Sequence, residues 1–280
     1  MLAAVAGMRI LISNDDGIYS PGIALLAEVA AEFGSVRVVA PDVERSTCGH
    51  SITHNRPLSY RQTTLGGLAA YRVDGTPADC VALGAHHWEQ VDLVLSGLNI
   101  GLNLGNSIWH SGTLAAAKQA CLLGLRGVAL SAPASAAPDF AGLKPWIRRA
   151  IETVLQAQTP RLVNINFPSQ PRGLLWTRAS IRQYDGRIVP TTDPLGREMY
   201  WFTIRPLEAP EEGTDRWAVE RDWISLTPLK LDLTDEGCLG HVRSQLPLDE
   251  AHAADPRSSG LGAQSIREEE VASPMEEPST

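Results

Sequence analysis

Clusters of basic residues are missing from this 280-residue chain. No Lys/Arg stripe runs through it, and the formal net charge is −8 with a sequence pI of about 5.4. The electrostatic footprint needed to grip a nucleic-acid backbone is therefore absent, and no nucleic-acid polymer is expected as a partner. Half of the net charge of −8 falls in residues 251–280, where Asp255, Glu268, Glu269, Glu270, Glu276 and Glu277 meet only Arg257 and Arg267. A small anionic substrate stays compatible with that balance, because a local site can be positive inside an acidic protein. Long apolar runs are missing as well. Nothing approaches the roughly 20 residues a bilayer-spanning helix needs, so no membrane is expected. The opening MLAAVAGMRI has no positive n-region and is interrupted by Arg9, which makes it a poor secretory signal, and Met8 is an equally good start. Cysteine is sparse: Cys48, Cys80, Cys121 and Cys238 show no C-x-x-C spacing, which disfavours a zinc site or a thioredoxin-type motif and fits a reduced, cytoplasmic setting. HExxH, GxGxxG and GxSxG are absent, and so is any internal repeat.

With 44% hydrophobic and 20% charged residues, the chain has ordinary globular composition and enough length for one large domain or a domain with an appended lobe. Arg9–Ser13 reads as a strand, Pro21–Phe33 as a helix stopped by Gly34, and SVRVVAP as a second strand. Val91–Gly97, Arg126–Pro133 and Arg161–Pro168 repeat the short apolar run, with helical segments at Thr76–Trp88, Gly112–Leu123 and Phe140–Gln158 between them. This alternation predicts an α/β fold: a Rossmann-like, mostly parallel sheet flanked by helices. After Pro168 the pattern changes to short runs rich in Thr, Arg, Tyr and Trp, broken by DPLG and EAPEEGTD, which reads as hairpins or an extended arm. The expected organisation is a core over 8–170, a β-hairpin or arm lobe over 171–240, and an acidic tail without fixed structure over 241–280.

Ligands of an open parallel sheet collect at the carboxyl ends of its strands. Four polar clusters fall there: Asn14–Gly17, PDVERSTCGHS, SGLNIGLNLG and HSGT. Asp15 and Asp16 are adjacent, so they share one site only where the strand has already ended, and Gly17 eases that turn. Two neighbouring carboxylates repel, and a divalent cation relieves the repulsion; alternatively, Asp15 caps the next helix and Asp16 is solvated. The loop Ser96–Gly105 carries Asn99 and Asn103 among glycines. It suits an anion or a metal, and equally a long turn using left-handed conformations. Ser111, Gly112 and Thr113 open a helix whose N-terminus offers free amides to a phosphate, while Ser111 is also a plain N-cap. Thr76, Pro77 and Asp79 are explained as a helix start. His50, His54, His86, His87 and His110 lack metal-ligand spacing.

Taken in order, ISNDDG…PG, VVAPDVERS, GTPADCV, VLSGLNIGLNLG, HSGTLAAA and NINFP closely resemble the SurE family of survival proteins. The resemblance runs from Met8 to about Thr234. It implies metal-dependent phosphatase activity on nucleoside 5′-monophosphates, with 3′-monophosphates and short polyphosphate as further substrates, and one Mg²⁺ or Mn²⁺ per subunit. By position it implies Asp15, Asp16, Ser46 and Asn99 as metal ligands, with Asp15, Asp16 and Asn99 catalytic. Phosphate binding is implied for Asn103, Ser111, Gly112 and Thr113. It also implies a C-terminal hairpin or arm used in oligomerisation, giving a homodimer or homotetramer. The family often carries tyrosine where this chain has His110, and alanine where it has Ser20. Against other phosphate-handling classes, a receiver domain would need a carboxylate at Gly97, and a haloacid-dehalogenase phosphatase would need a spacer between Asp15 and Asp16. A non-catalytic nucleotide-binding or signalling protein of the same fold is the alternative.

Overall fold

The computed structural model describes residues 7–135, 139–181, 184–206 and 209–245. The first strand, β1 (Met8–Ser13), alternates its side chains between two cores: Ile10 and Ile12 point to one face and Leu11 to the other. Around it lie β2 (Gly34–Pro41), the hairpin β3 (Tyr60–Leu65) and β4 (Leu68–Val73), β5 (Leu93–Ile100), β6 (Arg126–Ala132), β7 (Leu162–Asn166), β8 (Gly173–Trp176) and β11 (Trp223–Leu229). They form one nine-stranded sheet in the order β3-β4-β2-β1-β5-β6-β7-β11-β8. From β4 to β7 every neighbouring pair is parallel; the edge strand β3 and the pairing of β11 with β7 are antiparallel. The mostly parallel α/β sheet expected from the alternating pattern is thus present. The β3–β4 hairpin, Tyr60–Val73, was not anticipated, because its polar residues face solvent on an edge and give no buried run.

Helices cover both faces. On one side α1 (Pro21–Ala30) and α4 (Phe140–Gln156) bury Ile23, Leu26, Val29, Ile147, Ile151 and Val154 against the sheet. On the other, α2 (Pro77–His86) and α3 (Gly112–Leu122) bury Cys80, Val81, Leu114, Ala116 and Ala120. Each large aliphatic side chain so buried contributes about 1.5–3 kcal/mol, which outweighs the modest worth of the exposed Arg148–Glu32 ion pair linking α4 to the chain just after α1. The four cysteines form no disulfide. Among the described residues no helix is long and apolar enough to cross a membrane.

Beyond residue 170 the chain stays with the core: β8 and β11 hydrogen-bond into its edge. The expected 171–240 segment therefore supplies two core strands as well as a separate two-stranded ribbon, β9 (Tyr184–Thr192) with β10 (Glu198–Pro206), and the short helix α5 (Asp215–Val219). Among the described residues, those through Leu231 form one compact unit and Asp232–Gln245 belong to another. In the second, α6 (Glu236–Gln245) starts where Asp235 Oδ1 accepts the Cys238 N–H at 2.9 Å. Helix thus extends into the first five residues of the expected tail, and residues 246–280 lie outside those described.

Strand order reverses at β1. Chain connections lead from β1 toward β2 on one side, and β5 enters on the other, which opens a crevice at the carboxyl ends of β1 and β5. The loops after both strands meet there.

Candidate active site

β1 stops at Ser13, and the backbone turns through Gly17 at φ +95°, a left-handed value that glycine adopts without strain. The fully buried Asn14 braces this turn: its Nδ2 donates to the Gly17 carbonyl at 3.0 Å and to Ser20 Oγ at 2.8 Å. Ser20 in turn caps α1. Freed from the strand's alternation, Asp15 and Asp16 reach different walls of the same crevice.

Asp15 is only 5% exposed and faces the start of α3. Its Oδ1 accepts the Thr113 hydroxyl at 2.7 Å, and the Thr113 backbone N–H points to the same carboxylate. Burial nevertheless raises its pKa above the ordinary carboxylate value, with the Glu44 charge adding to the effect. Gly112 is the reason helix and carboxylate come so close: a Cβ there would lie 2.7 Å from Asp15 Cβ and 2.9 Å from Oδ2. Asp16, half-buried, accepts the backbone N–H of Ile100 at the end of β5. Desolvation, then the neighbouring Asp15 charge, push its pKa up to about 6. Its Oδ2 is buried without a hydrogen-bond partner. Two raised carboxylates and an orphaned buried oxygen describe a site short of positive charge.

Asn99, beside Ile100, commits its Nδ2 to the Gly101 carbonyl at 2.6 Å and keeps Oδ1 for other use. Ser46 lies in the exposed loop after β2, which is tied to the site because the Arg45 N–H donates to the Asp15 carbonyl at 2.7 Å. The Ser46 hydroxyl turns to Glu44 Oε1 at 2.6 Å. Asn103 is nearly buried; its Nδ2 donates to Ser131 Oγ at 2.8 Å and approaches Thr113 Oγ1 at 3.5 Å. Ser111 caps α3 by accepting the Leu114 N–H at 3.1 Å.

The structure therefore joins Asp15, Gly112, Thr113 and Asn103 through direct contacts, and places Asp16 against the segment carrying Asn99. In this arrangement Thr113 directs both its hydroxyl proton and its backbone N–H to Asp15.

Several contributors escaped the sequence reading. Asn164 and Asn166 on β7 grip the Asn103 backbone: Asn166 Oδ1 accepts its N–H at 2.8 Å, and both Nδ2 groups donate to its carbonyl. Their i, i+2 spacing within NINFP places both on one face of the strand, a signal that was available. Asp79 does more than start α2. Its carboxylate completes a capping box with Thr76 and also accepts the Thr53 N–H at 2.9 Å, pinning the Ser46-bearing loop to the helix. Glu44 had no signal, since its proximity to both aspartates is purely tertiary.

Among the described residues no three His, Cys, Asp or Glu side chains converge to hold a metal. A cation in this crevice would instead take the two aspartates with neutral Ser and Asn oxygens, a hard-oxygen set suited to Mg²⁺ or Mn²⁺. The orphaned Asp16 Oδ2 and the raised pair fit such an ion.

A doubly wound α/β sheet with paired carboxylates and a helix N-terminus at its switch point places this chain in the class of folds that bind ligands at the carboxyl ends of their strands. Comparison with known proteins narrows this class. The family model for survival protein SurE matches residues 10–186, and the chain belongs to that family. It is 47% identical over 239 residues to 5′-nucleotidase SurE 1 of Thermus thermophilus, covering 83% of this chain and 95% of the relative. It is 43% identical over 249 residues to 5′-nucleotidase SurE of Deinococcus radiodurans, covering 85% and 93%. The crystal structure of the SurE protein from Aquifex aeolicus superposes with a TM-score of 0.75 at 37% identity, covering 85% of this chain and 99% of that one.

Proposed function

We propose that this chain is a divalent-cation-dependent 5′-nucleotidase, hydrolysing nucleoside 5′-monophosphates to nucleoside and inorganic phosphate. The carrying observation is the pair Asp15 and Asp16, both raised by burial and set where the start of α3 meets the end of β5. The relatives named as 5′-nucleotidases support the reaction class. Asp15, Asp16, Ser46 and Asn99 would hold Mg²⁺ or Mn²⁺, which supplies positive charge for the phosphoryl oxygens and acidifies a water.

The chain's own groups do the rest. Thr113 holds Asp15 in place. The amides at the start of α3, around Ser111 and Gly112, together with Asn103, receive the phosphate and the charge that develops on it. Water attacks phosphorus as the P–O5′ bond breaks, an oxygen of the aspartate pair not engaged by the cation accepts the water's proton, and the leaving 5′ oxygen takes a proton from solvent. Nucleoside 3′-monophosphates and short polyphosphate present the same terminal phosphoryl group and are included as secondary substrates.

The ribbon supports assembly as a homodimer or homotetramer. Ile188, Met199, Tyr200, Trp201 and Phe202 on β9 and β10 are more than half exposed, an apolar surface that a second copy would cover.

The test is phosphate release from a panel of 5′- and 3′-nucleotides, generic phosphate esters and polyphosphate, with Mg²⁺, Mn²⁺ or EDTA. Release from 5′-monophosphates that stops in EDTA supports the proposal. Nucleotide binding without release would favour the non-catalytic alternative, and full activity in EDTA would overturn the metal assignment. Rapid quench with labelled phosphate checks the water attack, since a trapped aspartyl phosphate would show Asp15 or Asp16 to be the nucleophile.

A further inference from the structure

One fully buried carboxylate has no place in the reaction just described. Asp215 opens α5 at 0% exposure, and its Oδ2 accepts the N–H of Gly105, 110 residues away, at 2.7 Å. Its Oδ1 accepts the Ser180 N–H at 3.0 Å, the Ser180 hydroxyl at 2.6 Å and the Arg216 N–H at 2.7 Å. Burying a carboxylate is costly, and four donors compensate it here. What they fix is specific.

Gly105 is the junction between two phosphate-facing elements. Asn103 lies two residues before it, and the 3-10 turn Gly105–Trp109 that begins there runs into Ser111 and Gly112. Asn164 and Asn166 hold the Asn103 backbone from β7. Asp215 holds the other end of the same short loop.

We infer that Asp215 is a positioning residue for the phosphate-facing loop: through the Gly105 amide it fixes the placement of Asn103 and of the start of α3 without touching substrate. The inference rests on the nucleotidase reading. Catalysis responds steeply to such placement, with misplacement of about 1 Å costing on the order of 100-fold. An Asp215→Asn variant puts an NH₂ group against donors on one side or the other, so one set of hydrogen bonds fails while size is kept.

The experiment is a double-mutant cycle of Asp215→Asn with Asn103→Ala, assayed by nucleoside 5′-monophosphate hydrolysis, alongside amide hydrogen exchange over residues 99–105. Asp215→Asn should raise KM about tenfold with a smaller fall in kcat, and the double variant should be no worse than Asn103→Ala alone, because both act on one group. Exchange over 99–105 should quicken at least tenfold in Asp215→Asn. Effects that multiply in the double variant, or unchanged KM and exchange, would overturn the inference. Should Asp215→Asn not fold, Ser180→Ala removes one supporting donor and should raise KM two- to threefold; no change there also counts against it. If the wild-type protein releases no phosphate from any nucleotide, the nucleotidase reading fails by itself, and the exchange comparison still decides whether Asp215 holds the loop.

Discussion

The Thr113 hydroxyl donates to Asp15 Oδ1 over 2.7 Å, joining two residues 98 apart in sequence. This contact ties the first strand of the sheet to the helix that would receive phosphate. Replacing Thr113 by Val keeps the shape and removes the donor. The buried Asp15 oxygen is then unsatisfied, at a cost of about 1–3 kcal/mol. We expect a lower urea midpoint and roughly tenfold slower phosphate release, in line with the loss of one charge-assisted hydrogen bond. Thr113→Ser should restore both.

Gly112→Ala tests the close approach of α3. A methyl group there would lie within 3 Å of the Asp15 side chain, so helix and carboxylate must move apart. Activity should fall by about 100-fold, the scale expected for misplacing a reacting group, while circular dichroism remains that of the wild type. A fully active variant would show that Asp15 has room to spare.

The aspartate pair predicts an unusual pH dependence in EDTA. Asp16 titrates near 6 in the folded chain and near 3.8 when unfolded, so between these values the folded state binds more protons. Stability must therefore fall as pH rises through that window, the reverse of a salt-bridged carboxylate. Asp16→Asn should flatten this slope and raise the melting temperature of the metal-free protein above pH 6. Thermal melts from pH 4 to 7 measure both.

Divalent cation should reverse that destabilisation. A cation that binds only the folded state stabilises it by RT ln(1 + [L]/Kd), about 2.7 kcal/mol at 100 times Kd. Mn²⁺ or Mg²⁺ should raise the wild-type melting temperature at pH 7 and leave Asp16→Asn nearly unmoved. An equal shift in both would remove Asp16 from the ligand set.

Trp201 is 66% exposed and Phe202 72% exposed on β10. Trp201→Glu should lower the mass measured by light scattering to that of a smaller species, with the core's circular dichroism retained. An unchanged mass would place the subunit contact elsewhere.

How much of this was legible follows from which interactions are local. β1, α1, α2, α3 and the parallel core could be read because burial on two faces imposes apolar runs and helical periodicity. Thr76, Ser111 and Pro77 mark helix starts through contacts only a few residues long. The adjacency of Asp15 and Asp16, and the loops carrying Ser46, Asn99 and Asn103, were visible as motifs at strand ends. The β3–β4 hairpin was not, since an edge with mixed polarity leaves no run to read. Nor were the supports: Asn166 reaches Asn103 across 63 residues, Asp79 reaches Thr53 across 26 and Asp215 reaches Gly105 across 110.

The sequence by itself determined the order of elements, the helix caps and the residue types available at the sheet's carboxyl edge, because backbone propensity and amphipathic burial act over a few residues. Only the tertiary structure decided what each polar group does. Thr113 became the holder of Asp15 because the start of α3 meets the loop after β1 without a side chain at Gly112 in the way. Asp16 keeps a buried, unpartnered oxygen while its carboxylate meets the Ile100 N–H at the end of β5. Hydrogen bonds and desolvation are set by distance in space, and sequence spacing carries no record of them.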